Sequence, residues 1–158
     1  MSQSESSASQ LENAAGRQNS DATIAYAILR FSFGANILLH GLSRVLMGRP
    51  AFLAYLTHYF EHAPLMPASM FPAFGAVLPW VETTLGLLLL LGLVTRFALI
   101  AGSVVMALLV IGTNLAQDWN TAGLQLIYCF IYYYLLVHHG RNRISLDAML
   151  GLGASGKA

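Results

Sequence analysis

The chain is short of charge. Asp, Glu, Lys and Arg make up 9% of its 158 residues, while 56% are hydrophobic. A water-soluble domain carries roughly 25% charged residues, so this chain cannot cover a globule of its size against water. Lipid is the solvent that fits, and the length suits one domain. The formal net charge of +1, without a basic run or an RNA-binding motif, gives no case for nucleic acid as a partner. Cysteine is nearly missing: Cys129 stands alone and no CxxC pair exists. One thiol closes no intramolecular disulfide, and Cys129, inside an apolar run, reads as a small buried hydrophobe. A cleavable leader is missing too. Residues 1–20 are polar, without a basic start or a short apolar core. Residues 1–22 therefore read as a disordered cytoplasmic tail, and the first apolar segment as both targeting signal and anchor.

What the chain does have is long apolar runs. A membrane helix needs about 20 mostly apolar residues, and four segments meet that: roughly 23–43, 75–94, 97–116 and 122–140. The expected fold is an all-α, integral-membrane four-helix bundle over 23–140, followed by a short cytoplasmic tail, 141–158. Four spans put both termini on one side. Arg17, Arg96, Arg141, Arg143 and Lys157 share that side, against Arg44 and Arg49 on the other. The excess of basic residues marks the cytoplasmic face, which predicts a multi-pass protein of a bacterial or archaeal inner membrane with both termini in the cytoplasm.

The one long connection, 44–74, contains "AFLAYLTHYFEHAPLMP". Phe52, Leu53, Tyr55, Leu56, Tyr59 and Phe60 follow helical spacing, with His58, Glu61 and His62 opposite. This predicts an additional periplasmic amphipathic helix lying in the interface over about 50–63, ended by Pro64 and Pro67. "HYFEH" also matches an H-x-x-E-H zinc pattern, but neither a third ligand nor a dry cleft accompanies it, and no metal site is expected. Haem fares no better: His40 belongs near the outside and His138 and His139 near the inside, too far apart across the bilayer to share one iron.

Ionisable groups inside a membrane are costly and usually face the bundle interior as functional groups. Arg30 in "ILRFSFGANILLHG" and Glu82 in the second span are the two deep ones. They are expected to pair across adjacent antiparallel spans, with a depth mismatch of roughly 10 Å that Asn36 or a water bridges. Gly34 and Gly41 share the face of Arg30, and Gly86 follows Glu82 by one turn. Small residues there allow close helix approach or leave space for a ligand. His40, one turn beyond Asn36, is a residue type that can carry a proton between a bound redox ligand and the exterior and sits towards the outer mouth, where Asn114, Gln117 and Asp118 would complete a polar pocket. On the fourth span Gln125, Tyr128 and Tyr132 recur at helical spacing and offer a surface for stacking a flat ring such as a quinone.

"LRFSFGANILLHG" and "VETTLGLLLLLGLVTRFALIAG" together resemble the DoxX/DoxD-type membrane proteins over roughly 23–140, through Arg30, Gly34, His40, Gly41, Glu82, Gly86, Gly92 and Arg96. The DoxD branch is known as a subunit of thiosulfate:quinone oxidoreductase that works with a DoxA partner; many DoxX proteins are known only as oxidoreductases without an assigned reaction or as membrane parts of redox complexes. The resemblance implies an inner-membrane subunit of quinone-linked redox chemistry, of the thiosulfate:quinone type or another. Glu82 would carry protons, Arg30 hold its charge or bind a ring oxygen, and His40 lead to the exterior. Gly34, Asn36, Gly41, Gly86, Asn114 and Tyr128 would border a quinone. No haem, metal or flavin is expected in this chain alone. The expected partners are membrane lipids, a second redox subunit and further copies of the chain. The rival readings are a non-catalytic anchor of a redox complex and a small-molecule carrier.

Overall fold

Apolar composition dictates the helices. In lipid every backbone N–H and C=O must be satisfied within its own segment, and a helix does this. The computed structural model describes residues 3–61, 63 and 68–152. The chain runs as α1 (Gln3–Met47), α2 (Arg49–Tyr59), α3 (Phe71–Leu91), α4 (Thr95–Leu115), α5 (Trp119–Val137) and the one-turn α6 (Leu146–Met149). Among the described residues four stretches are long and apolar enough to cross a membrane: Asn13–Met47, Phe71–Leu91, Thr95–Leu115 and Trp119–Val137. Their outer faces carry large apolar side chains such as Ile28, Phe31, Phe97 and Phe130. The protein is thus an all-α, multi-pass membrane bundle, with α2 laid over the end remote from the termini.

α2 buries a narrower stripe than its aromatic pattern suggests. Phe52, Leu56 and Phe60 pack on Phe71 and Leu78 of α3, whereas Tyr55 is 52% exposed. His58 and Glu61 face outward and lie 3.4 Å apart, the solvated side of an interfacial helix. His62, Pro64, Pro67 and Lys157 lie outside the described residues.

α1 packs chiefly on α3, and α4 on α5. The α1–α3 seam is made of glycine. A Cβ on Gly34 would sit 2.9 Å from the Leu89 carbonyl carbon, one on Gly41 2.8 Å from the Pro79 oxygen, and one on Gly86 2.9 Å from the Ile37 carbonyl carbon. Only glycine allows backbones to approach this closely, the usual device for helix association in lipid. These contacts fix the antiparallel register. Position 34 stands level with 90, 38 with 86 and 41 with 83.

The N-terminal segment differs from the sequence expectation. Residues 3–22 continue α1 as helix instead of forming a disordered tail; once a long span has nucleated a helix, adding Ala, Gln, Glu and Ser costs little. Residues 139–152, which take in the start of the short tail expected over 141–158, fold back on the bundle. They return to the α3–α4 turn, where Asp147 accepts hydrogen bonds from the backbone N–H of Val94 at 2.7 Å and of Thr95 at 2.8 Å. Its own N–H donates to the Gly92 carbonyl at 2.9 Å. A carboxylate at the start of α4 satisfies its free N–H groups and suits its dipole. It also holds Val94 in a left-handed conformation, φ 42°, which a β-branched residue rarely adopts.

Candidate functional site

The helix register decides where the charges meet. On α1, position 42 is level with Glu82, so Arg30 lies about 12 residues or roughly 18 Å away along the axis. The expected Arg30–Glu82 pair does not form. Arg44, two positions from that level, makes the ion pair with Glu82 instead. Arg44 had counted only as a cation beyond the first span; the structure carries α1 on to Met47 and keeps it in the bundle. Its guanidinium also lies over the Phe52 ring, 5.5 Å from the centroid, within cation–π range.

Arg30 belongs to the other end of the bundle. It is 4% exposed and donates to the carbonyls of Leu89 and Leu90, and at 2.9 Å to that of Ile144. The first two lie in the last turn of α3, where the helix dipole is negative, and that of Leu89 also accepts from the Gly92 N–H. That is why a lipid-embedded helix keeps this arginine: carbonyl oxygens, and no carboxylate, take up its two Nη groups, while Nε has no partner among the described residues. Gly92 is the end cap of α3, with φ 66°, and a Cβ there would lie 2.6 Å from Arg30 Nη1. Both its conformation and its closeness to the guanidinium require glycine.

The other expected site residues separate into groups. Gly34, Gly41 and Gly86 face helix backbone and border no ligand space; close packing fills the room they were expected to leave. Asn36 Nδ2 donates to the Tyr128 hydroxyl at 3.0 Å, joining α1 to α5. His40 is exposed and lies 2.9 Å from the Asn36 carbonyl of its own helix. Asn114 is likewise exposed and donates to Val110 at 2.7 Å. The predicted mouth of His40, Asn114, Gln117 and Asp118 does not assemble, because Asn114 and Gln117 also point outward. Asp118 caps α5 by accepting from the Thr121 N–H at 3.0 Å and receives the Tyr59 hydroxyl at 2.7 Å. Hydrogen bonds from the Thr121 side chain and backbone and from Tyr59 hold its carboxyl below the usual range. Burial, together with Asp118, pushes the Tyr59 hydroxyl up.

A cavity of about 120 Å³ lies beneath α2. Phe52, Tyr55, Tyr59 and Phe60 form its aromatic roof; Arg44 enters from α1, Leu78 from α3, and Thr113 and Gln125 from α4 and α5. Thr113 Oγ1 lies 2.8 Å from Gln125 Oε1. With that oxygen turned to Thr113, the Gln125 NH2 has no partner among the described residues. The cavity therefore offers hydrogen-bond donors from two helices, the guanidinium and this amide, between apolar walls, with the Glu82 carboxylate behind Arg44. Depth arithmetic on single helices could not locate it, since the register comes from the glycine seam. Among the described residues no three His, Cys, Asp or Glu side chains gather as metal ligands.

The family model described as DoxX matches residues 25–115, more than half of the chain. The chain belongs to the DoxX family. No curated protein and no solved structure matches it. The DoxX match takes in α2, the glycine seam, Arg30 and the Arg44–Glu82 pair, and ends where α4 ends. Gln125, Tyr128 and Asp147 lie beyond it.

Proposed function

We propose that this DoxX protein takes part in quinone-linked redox chemistry, with the quinone ring seated in the cavity under α2. The observation that carries the reading is the pairing of an aromatic roof with donors from different helices. A quinone presents a flat apolar ring with two carbonyl oxygens, which suit Arg44 and Gln125. The small volume fits a ring and not a drug-sized ligand, whose pockets run to about 300–1,000 Å³. Reduction adds two electrons and two protons to give the quinol. The electrons come from a small reduced donor, such as a reduced sulfur anion, or from a second redox subunit. Glu82, beside Arg44, is the carboxylate placed to pass a proton. The excess of Arg on the termini side supports cytoplasmic termini, which puts the cavity in the outer half of an inner membrane.

The test is mass spectrometry of quinones that co-purify with the protein, backed by titration of added quinone. The wild type should retain quinone, and Gln125→Ala should lose most of it with only a small fall in melting temperature, since the Thr113 hydroxyl keeps carbonyl acceptors on its own helix. A folded wild type that neither retains nor binds quinone would overturn the reading and leave a membrane anchor in its place.

A further inference from the structure

We propose that the termini-side end binds an anionic phospholipid, its phosphate held by Arg143 against α1. A groove of about 460 Å³ runs between α1 and the returning C-terminal segment, lined by Gly16, Asn19, Ser20, Thr23, Arg143 and Ile144, with Ile24 at its lower edge. Its polar part offers a guanidinium, an amide and a hydroxyl, and none of its lining residues is acidic. Among the described residues Arg143 forms no ion pair. The nearest acid on α1, Asp21, lines a different groove, with Arg17.

Below the polar part the surface turns apolar. Ile24 is 45% exposed, Ile144 54% and, one turn further along α1, Ile28 61%. A ligand that fits both parts has an anionic head and a hydrocarbon chain, which describes an anionic lipid better than a free ion.

The position of Arg143 is fixed by its neighbours. Arg30 donates to the carbonyl of Ile144, the next residue, at 2.9 Å. The Arg143 N–H donates to the Arg141 carbonyl at 2.8 Å, and Asp147 ties the following turn to α4. A guanidinium presented from an anchored backbone loses less freedom on binding than one on a loose tail. The site shares no lining residue with the cavity under α2 and does not depend on quinone chemistry.

The experiment uses the full chain in detergent, with phosphatidylglycerol or phosphatidylcholine added, and reads lipid retained by native mass spectrometry together with the melting temperature. Phosphatidylglycerol should be retained and should raise the melting temperature, and phosphatidylcholine should do neither. Arg143→Gln should melt like wild type without lipid and bind phosphatidylglycerol about fivefold more weakly, the effect expected of one basic residue at an anionic surface. Arg49→Gln, at the opposite end, should bind like wild type. Unchanged phosphatidylglycerol binding in Arg143→Gln, or equal binding of both lipids, overturns the proposal. Displacement of the lipid by millimolar inorganic phosphate overturns it too, because the site would then be one for the free ion.

Discussion

α1 carries an arginine at each end of the bundle, and the two ends handle it in opposite ways. At the termini side Arg30 is surrounded by carbonyl oxygens, and a returning segment closes that end with Asp147. At the α2 side Arg44 meets a carboxylate and borders a cavity. The first end distributes one charge over fixed dipoles and leaves little to titrate or displace. The second sets a full ion pair beside a cavity, where a ligand can compete for the guanidinium. In a membrane bundle, burial of an arginine therefore says little about function until its partners are known.

The strongest way to break this contrast is to remove one member of the ion pair. Arg44→Leu should cost about 3–5 kcal/mol, the usual penalty for an uncompensated buried charge, because the Glu82 side chain it abandons is only 9% exposed. Glu82→Leu should cost less, since the Arg44 side chain is 25% exposed and can reach towards the interface. The double leucine variant should recover most of the loss in melting experiments. Arg30→Leu combined with Glu82→Leu should show no such recovery; recovery there would mean that the two ends are coupled.

At the closed end, Asp147→Ala removes the acceptor of two backbone N–H groups. It should lower stability by about 2–3 kcal/mol, the scale of hydrogen bonds to a charged group. Asp147→Asn should keep part of that as a neutral cap. An alanine variant that melts like wild type would show that the returning segment does not close the end.

A smaller effect should appear with pH. His139 lies in the returning segment, and burial lowers its pKa, with Arg96 acting in the same direction and Asp147 opposing both. The folded state thus favours the neutral ring, while the unfolded chain takes up a proton near the ordinary value of about 6.5. This contribution to stability is complete above that value and is lost as pH falls through the lower, folded value. Melting temperatures should fall over that window in wild type and less so in His139→Gln. Equal slopes would remove His139 from the account.

The smallest effect should come from Tyr59→Phe, which cuts the tie from α2 to Asp118. Amide exchange along α2 should quicken while α3 and α4 stay protected. Uniform protection would mean that the buried contacts of Phe52, Leu56 and Phe60 hold α2 by themselves.

Much of the fold was legible because hydropathy and period are properties of single segments. The four spans were visible in this way, and α2 was marked by its aromatic spacing. The family resemblance rested on Arg30, Glu82 and the glycines, and the DoxX match agrees with it. The charge partners were not legible, since they depend on the offset between two helices. Gly34, Gly41 and Gly86 held that offset, but each admits both a packing and a ligand-space reading until its neighbour is known. The Asp147 clamp was hidden for another reason. It sits in a short polar stretch where Ser145 caps a single turn through the Ala148 N–H, and hydropathy is silent there.

The glycine seam has a mechanical consequence. With backbones in contact along their length, α1 and α3 behave as one plate, and α4 with α5 as a second. The plates are pinned together at one edge by the short turn through Gly92 and by the Asp147 clamp. A 20-residue helix is about 30 Å long, so turning one plate through about 5° about the pinned edge displaces the far edge by about 2.5 Å. The space under α2 lies at that far edge, where the Tyr59–Asp118 hydrogen bond and the packing of α2 on Leu109 oppose a change in width.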